Sequence, residues 1–432
     1  MNSEWKIIRL DAIAVLNPGR RVAKGVEAPF IDMAALPQHA RDIQFVNIER
    51  RTAKGSGAHF HNGDTLLARI TPCLENGKTA QVRCLNHNEV GEGSTEFIVL
   101  SGIDSADNDF VYYLCRDTSF REYAIGRMEG TSGRQRVSWQ SISAYEFLCP
   151  PKNVRRAAAE LLSTLDDRIT LLRETNATLE AIAQALFKSW FVDFDSVRAK
   201  MEGRASEGMD KATAALFPDG LEESELGLVP RGWSTCTFRD TIHVFGGGTP
   251  KTAVAEYWGG DIPWFSVVDA PGPTDVFVVD TEKHITEAGL NESSAKLLPA
   301  GTTIISARGT VGRLAVIAQT MAMNQSCYGL RGKAGDTYFT YFSTTRLVSQ
   351  LKQRVHGSVF DTITQETFSG VLLSYPPIVI IKAFENEISA MLERIHENVI
   401  QVQTLAIIRD TLLPKLLSGE LSVDVIHHEE GT

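Results

Sequence analysis

The sequence predicts a mixed α/β protein. It has two α/β domains connected by two long antiparallel helices that form a coiled coil, arranged as an internal pseudo-twofold repeat. Three observations predict this. The 432-residue chain is written twice: the segment from Gly130 to Pro151 reappears, diverged, from Gly357 to Pro377. The offset of 226 that takes Pro150 to Pro376 also takes Arg168 to Arg394, Leu179 to Leu405 and Leu186 to Leu412. Each copy is β-like up to a Pro-Pro pair and then turns, almost without breakers, to a helical pattern. In both helical stretches the seam residues are spaced alternately three and four apart, as in a coiled coil.

Residues 1–151 form the first β-rich domain. The runs Thr65–Ile70, Thr79–Cys84 and Glu96–Leu100 read as strands, the turns at Glu75-Asn76-Gly77 and Glu92-Gly93-Ser94 as loops, and Asp109 to Ile125 as one helix. Residues 152–195 form the first long helix, with Ile169, Leu172, Asn176, Leu179, Ala183, Leu186 and Trp190 on its seam. Residues 196–229 are polar and acidic, are broken by Gly203, Gly208, Pro218 and Gly220, and read as a connector. Residues 230–377 form the second β-rich domain, with Trp233 at its entrance as Trp5 is at the first. Residues 378–421 form the second long helix, whose seam is Ile395, Asn398, Val402, Leu405, Arg409, Leu412 and Leu416; residues 422–432 are a frayed tail.

If a pseudo-twofold relates the copies, the helices run antiparallel and the offset sets which residues face each other. Asn176 and Asn398 then meet within hydrogen-bonding range at mid-seam, where paired amides fix register at a cost in stability. By the same rule Glu180 faces Arg394. Forty helical residues at ~1.5 Å each make a rod of roughly 60 Å, longer than one turn of B-DNA at ~34–36 Å.

Composition narrows the class. Hydrophobic residues make up 43% and charged residues 22%, as in an ordinary globular protein. The opening MNSEWKIIRL has no apolar signal core, and no run approaches the ~18 apolar residues of a membrane span. Six scattered cysteines without a C-x-x-C predict reduced thiols in a cytoplasm and no zinc site. A net charge of −10 excludes a protein coated all over in nucleic acid, but not one whose cations gather on one face.

The run Leu186-Phe187-Lys188-Ser189-Trp190-Phe191-Val192-Asp193-Phe194-Asp195 with Val197 to Gly203 resembles the central conserved region of specificity (S) subunits of type I restriction-modification systems. Gly247-Gly248-Thr249-Pro250 with Tyr257-Trp258-Gly259-Gly260-Asp261-Ile262-Pro263-Trp264 is similar to the opening of a target recognition domain of that family, as is Ala307-Arg308-Gly309-Thr310-Val311-Gly312. Leu412 to Leu421 resembles its distal conserved end. The likeness covers nearly the whole chain, although the first half lacks the GGTP and YWGGDIPW opening. The resemblance implies a non-catalytic adaptor. Each recognition domain reads one half of a split asymmetric DNA site. The helices set the spacer and dock two modification subunits, which methylate adenine with S-adenosylmethionine, and restriction subunits join for cleavage. No cofactor is expected on this chain itself.

The candidate DNA-binding residues follow from charge and placement. Arg69 and Lys78 in the first copy, and Arg308 and Arg313 in the second, sit on matching strand-loop-strand elements, with Ser306 and Thr310 beside the latter. Arginine suits a bidentate contact with guanine, and any cation suits phosphate. Arg20, Arg21 and Lys24 form a short cationic cluster, as do Arg50, Arg51 and Lys54. Arg134 and Arg136, and across the repeat Arg354 and His356, make a basic spot before the last strand. Lys251 follows the GGTP turn. The bland alternatives are a tight turn, a carboxylate partner or a solvated surface. Trp190, Phe191 and Lys415 are candidates for docking a partner, or, for the two aromatics, for capping the coiled coil. Tyr257, Trp258 and Trp264 read as packing before groove.

A protein-binding scaffold with degenerate recognition domains is the alternative function, and the negative charge is its best support. A self-contained methyltransferase finds no Asn/Asp-Pro-Pro-Tyr/Phe motif. Asn76-Gly77-Lys78-Thr79 fails as a phosphate loop because Pro72 stands where glycine is required.

Overall fold

The computed structural model describes residues 5–44, 47–131, 133–272, 275–354 and 362–421. The Arg354 side chain, His356, the 357–361 stretch of the repeat and the tail lie outside the described residues. The chain divides into two compact units: residues to Thr170 together with those from Gln403 on, and Leu171–Val402. Each long helix, Lys152–Lys188 and Ile378–Ser418, is one continuous element, and the division falls inside both.

In the first unit a four-stranded antiparallel sheet has the order Ala14–Leu16, Phe97–Gly102, Thr65–Ala68, Thr79–Gln81. Strand Thr65–Ala68 is buried along its whole length and lies between two partners, so it is apolar on both faces. A second sheet has the order Glu49–Thr52, Glu27–Ile31, Gly91–Gly93, Ala58–Phe60, with Phe30 and Ile31 paired in parallel to Glu92 and Gly93. Strand Lys6–Arg9 pairs with Glu146–Cys149, directly before the first long helix. The single helix expected from Asp109 to Ile125 is two, Asn108–Arg116 and Thr118–Ile125. Asp117 is extended between them, and its carboxylate accepts from Ser119 N at 3.0 Å, so it caps a new helix rather than continuing the old one. The core packs Leu67, Leu100, Phe110 and Phe120 against Ala158, Ala159 and Leu162 of the first long helix and Leu413 and Leu416 of the second.

The second unit repeats this order with one strand added: Ile242–Gly246, Cys327–Gly332, Thr303–Ser306, Leu314–Ile317, Phe277–Val278. Strand Trp258–Phe265 runs parallel to Ala322–Met323, and Ser234–Thr237 pairs with Leu372–Tyr375 as Lys6–Arg9 does with Glu146–Cys149. The stretch read as a connector has structure of its own. It holds helices Asp195–Met201 and Lys211–Ala215 and a hairpin of Leu221–Ser224 with Gly227–Pro230.

Within the second unit the helices are antiparallel: Asn176 meets Asn398, while Phe187 and Trp190, further along, meet Phe384, further back. Asn398 Nδ2 donates to Asn176 Oδ1 at 2.8 Å, both residues are buried, and Asn176 Nδ2 donates to Asp275 Oδ1 at 3.3 Å. Glu180 and Arg394 form no ion pair. Glu180 accepts from the Tyr341 hydroxyl at 3.3 Å, and the outward-facing Arg394 pairs with Glu397 at 3.1 Å, because three residues along one helix bring that carboxylate within reach.

Candidate nucleic-acid interface

Three segments of the second unit meet at one edge. Ala307 N donates to Ser326 O at 2.7 Å, Ile363 N donates to Ala307 O at 3.0 Å, and the Arg308 backbone bridges to Thr362. The Gly247-Gly248 turn is pressed onto the same place. A Cβ on Gly247 would lie 2.0 Å from Asn324 O, and Gly248 N donates to Met323 O at 2.9 Å, so only glycine permits the approach. Trp264 Nε1 donates to Gly248 O at 2.9 Å and fixes the turn from behind. This places Thr249 against Gln325, where its hydroxyl donates to Oε1.

At this edge Arg308, Thr310, Lys251 and Gln325 are exposed. Among the described residues no side-chain hydrogen bond or ion pair engages Arg308 or Lys251. Arg313 is exposed, but Nη2 donates to the carbonyls of Ala270 (3.3 Å) and Pro271 (2.9 Å). Ser306 is not at the surface: it is 1% exposed, donates to Thr310 O at 2.5 Å and accepts from Arg313 N at 2.8 Å. Its hydroxyl locks the loop and is not available to a base.

The first unit builds the same edge. Arg69 N donates to Glu96 O at 3.0 Å, Val137 N donates to Arg69 O at 3.0 Å, and Ile70 bridges to Arg136. Arg69 is therefore the counterpart of Ala307, and Ile70 that of Arg308. Arg69 and Arg308 lie on matching elements but one residue out of step. In extended chain one residue reverses the face. Arg69 is accordingly half-buried with Nε shielded from solvent, while Arg308 is exposed.

The other candidates of the first unit divide in two. Arg20 is turned inward onto buried Asp64 and Ser101. Lys78 Nζ donates to Met33 O at 2.7 Å. Arg136 clasps Glu96, with Nε 2.9 Å from each carboxylate oxygen and Nη2 2.7 Å from one, and the hydrogen bonds and charge of Glu96 hold its pKa above the ordinary arginine value. Arg21, Lys24 and Arg134 are exposed, and among the described residues their side chains have no such partner.

Trp190 and Phe191 are each 3% exposed. They pack edge-on with Phe384, Phe217 and Phe339 in the core of the second unit, so they present no docking surface. The chain leaves the helix there through a π-turn at Ser189–Asp193 and a left-handed Phe194, which swings both rings inward. Trp258 and Trp264 stack edge-to-face at 5.1 Å. Lys415 is exposed.

The sequence gives Gln325 no role, Thr249 a place only in the GGTP turn and Arg409 a place only on the seam, and it does not show the charges buried inside the first unit. Arg409 Nη1 lies 2.6 Å from Asp166, which also accepts from the Tyr113 hydroxyl at 2.7 Å. Arg41 joins Asp42 (2.9 Å) and Asp167 (2.5 Å), and Thr170 donates to Asp42 at 2.6 Å. Burial works against the charge on Arg409, but its bonds to Asp410 and Asp166 outweigh burial and hold its pKa above the ordinary arginine value. A break in hydrophobic periodicity at Arg409 was the available signal. Among the described residues no cluster could hold a metal ion, and no helix is long and apolar enough to cross a membrane.

Residues 230–407 match the family model described as the type I restriction modification DNA specificity domain. The HindI type I specificity subunit of Haemophilus influenzae is 29% identical over 404 residues, covering 83% of this chain and 86% of that protein. The MjaIX specificity subunit of Methanocaldococcus jannaschii is 32% identical over 159 residues, 36% of this chain and 37% of that protein. The crystal structure of a type I restriction-modification S subunit from M. genitalium is 16% identical, covers 96% of this chain and 97% of its own, and gives a TM-score of 0.51, a likeness of fold.

Proposed function

We propose that this chain, which belongs to the specificity subunits of type I restriction-modification systems, reads a bipartite asymmetric DNA site with one recognition domain on each half. Specificity subunits are the DNA-recognition components of these complexes, not the catalytic ones, and assemble with other subunits of the system. The recognition domains on this reading are residues 1–151 and 230–377. The long helices set the spacer and dock two modification subunits, which carry the S-adenosylmethionine and methylate adenine, and restriction subunits complete the assembly.

The observation that carries the reading is the edge built twice. The same backbone bonds recur at Arg69, Glu96 and Val137 and at Ala307, Ser326 and Ile363, while the exposed side chains they present differ. One scaffold with two different faces suits a reader of two different half-sites. Arg308 and Lys251 on one edge, and Arg134 on the other, have the free cationic ends that phosphate or a guanine edge requires. Exposed Leu171, Ile182 and Ile400 on the helices of the second unit supply apolar surface for a protein partner.

The test is a gel shift on duplex DNA with and without modification subunits, across a salt series. Affinity should fall steeply with salt, by a slope of about −0.9 per phosphate neutralised. A flat response in the full complex would instead leave a scaffold with degenerate recognition domains.

A further inference from the structure

The two edges share a turn whose tip neither charge nor motif singles out. In the second unit Asn324 Oδ1 accepts from Ser326 N at 3.0 Å and Asn324 O from Cys327 N at 3.3 Å. In the first, Ser94 Oγ accepts from Glu96 N at 3.2 Å and Ser94 O from Phe97 N at 3.2 Å. The strand entering each turn is tied in parallel to its neighbour, Met323 to Phe265 and Gly93 to Ile31. The residue leaving each turn accepts from the adjacent loop, Ser326 from Ala307 N and Glu96 from Arg69 N. The backbone is thus held before, within and after the turn. The one side chain left exposed between half-buried neighbours is Gln325 in the second unit and Thr95 in the first.

We infer that Gln325 and Thr95 are specificity-determining residues, each reading one base pair of its own half-site; the inference rests on the DNA-recognition reading above. A rigid tip that ends in an exposed polar group holds that group in place for recognition. The Gln325 amide donates from Nε2 and accepts at Oε1, the pair that matches adenine N7 and N6 in the major groove. The Thr249 hydroxyl occupies one lone pair of Oε1, which sets the amide with Nε2 outward and leaves a second lone pair for the base. Thr95 offers a hydroxyl and a methyl, suited to a thymine methyl or a base-edge polar group. The turn is kept and its tip is changed, so each unit can name a different base without rebuilding its backbone.

The experiment uses this chain assembled with its modification subunits, acting on genomic DNA that is then sequenced for methylated adenine. Gln325→Ala should broaden one position of one half-site, lowering the preference there by about tenfold or more, and Thr95→Ala should do the same in the other half-site. Thr249→Val should weaken the preference at the same position as Gln325→Ala, by less. Melting temperatures should be unchanged, since both tips are exposed. An unaltered motif in both tip variants, with methylation of one half-site lost in Arg308→Ala, overturns the inference and leaves the DNA reading standing. An effect from one tip alone overturns the shared role. An unaltered motif in all three single variants, Gln325→Ala, Thr95→Ala and Arg308→Ala, overturns both the inference and the reading of these edges as the DNA face.

Discussion

The first unit closes its helices over a buried ion pair, Asp166 with Arg409, whereas the second closes over aliphatic side chains. The repeat carries Asp166 to Leu392 and Arg409 back to Ala183, and all four residues are at most 3% exposed. The same two places in one fold are filled by opposite chemistries. The difference teaches that the packing position, and not the charge, is what the duplicated architecture requires. A buried ion pair adds little net stability over well-packed apolar groups, but it strongly penalises the loss of one partner.

That contrast can be broken most forcibly at Arg409. Arg409→Ala strands a buried carboxylate and should cost about 3–5 kcal/mol in urea unfolding of the first unit. Installing the chemistry of the second unit, Asp166→Leu with Arg409→Ala and Tyr113→Phe, should recover most of that loss. A triple variant as unstable as the single one would show that the two places are not equivalent.

The asparagine pair comes next. Asn398→Leu leaves the Asn176 amide buried with one long bond to Asp275, and should cost about 1–3 kcal/mol, while changing both to leucine should cost less. Equal losses would mean that the amides act separately.

The two proposed recognition edges extend the comparison to function. Arg308→Ala should weaken binding by about 1–3 kcal/mol on one half-site only, read by titrating duplexes altered in either half. Arg69→Ala should change it less, because Arg69 holds the inward position that Ala307 holds in the other unit. A larger effect from Arg69 would show that its half-buried side chain still reaches the DNA.

The smallest effect is the pH slope that Glu385 gives the second unit. Burial pushes Glu385 up to about 7, against hydrogen bonds from the Phe339 and Thr337 amides; the first-unit counterpart is Ala159. Between its ordinary 4.5 and about 7 the folded state keeps a proton that the unfolded state has released. Its contribution is therefore whole at the acid end and is lost as pH rises through 7. Glu385→Gln should flatten the slope in thermal melts taken from pH 5 to 8, and an unchanged slope would assign the titration elsewhere.

The helical half of the fold was plain in the sequence because its signal is local and periodic. Of the fourteen seam positions, Ile169, Leu172, Asn176, Ala183, Trp190, Ile395, Asn398, Val402, Arg409 and Leu416 are buried. The one-helix reading of Asp109 to Ile125 failed because Asp117 adds a cap inside a continuous apolar pattern. The candidate site was legible as a set of loops and not as a set of side chains. Arginines at 20, 69, 136 and 308 look alike in a sequence, yet Asp64, Ser101 and Glu96 engage two of them, and a one-residue phase separates the other two. Those facts depend on carboxylates and backbone partners tens of residues away, which no local pattern encodes.

The division inside the two helices has a consequence for synthesis. The second unit is one uninterrupted stretch, Leu171–Val402, and has all its parts once that stretch has emerged. The first unit begins earlier but waits for residues from Gln403 on: its core lacks Leu413 and Leu416, and Asp166 lacks its arginine, until the end of the chain has been made. On a ribosome adding about 5–20 residues per second, the amino-terminal unit is the last to close. A message cut short anywhere between Thr170 and Arg409 therefore yields a protein in which the amino-terminal part of the first unit was fully translated and still cannot finish folding.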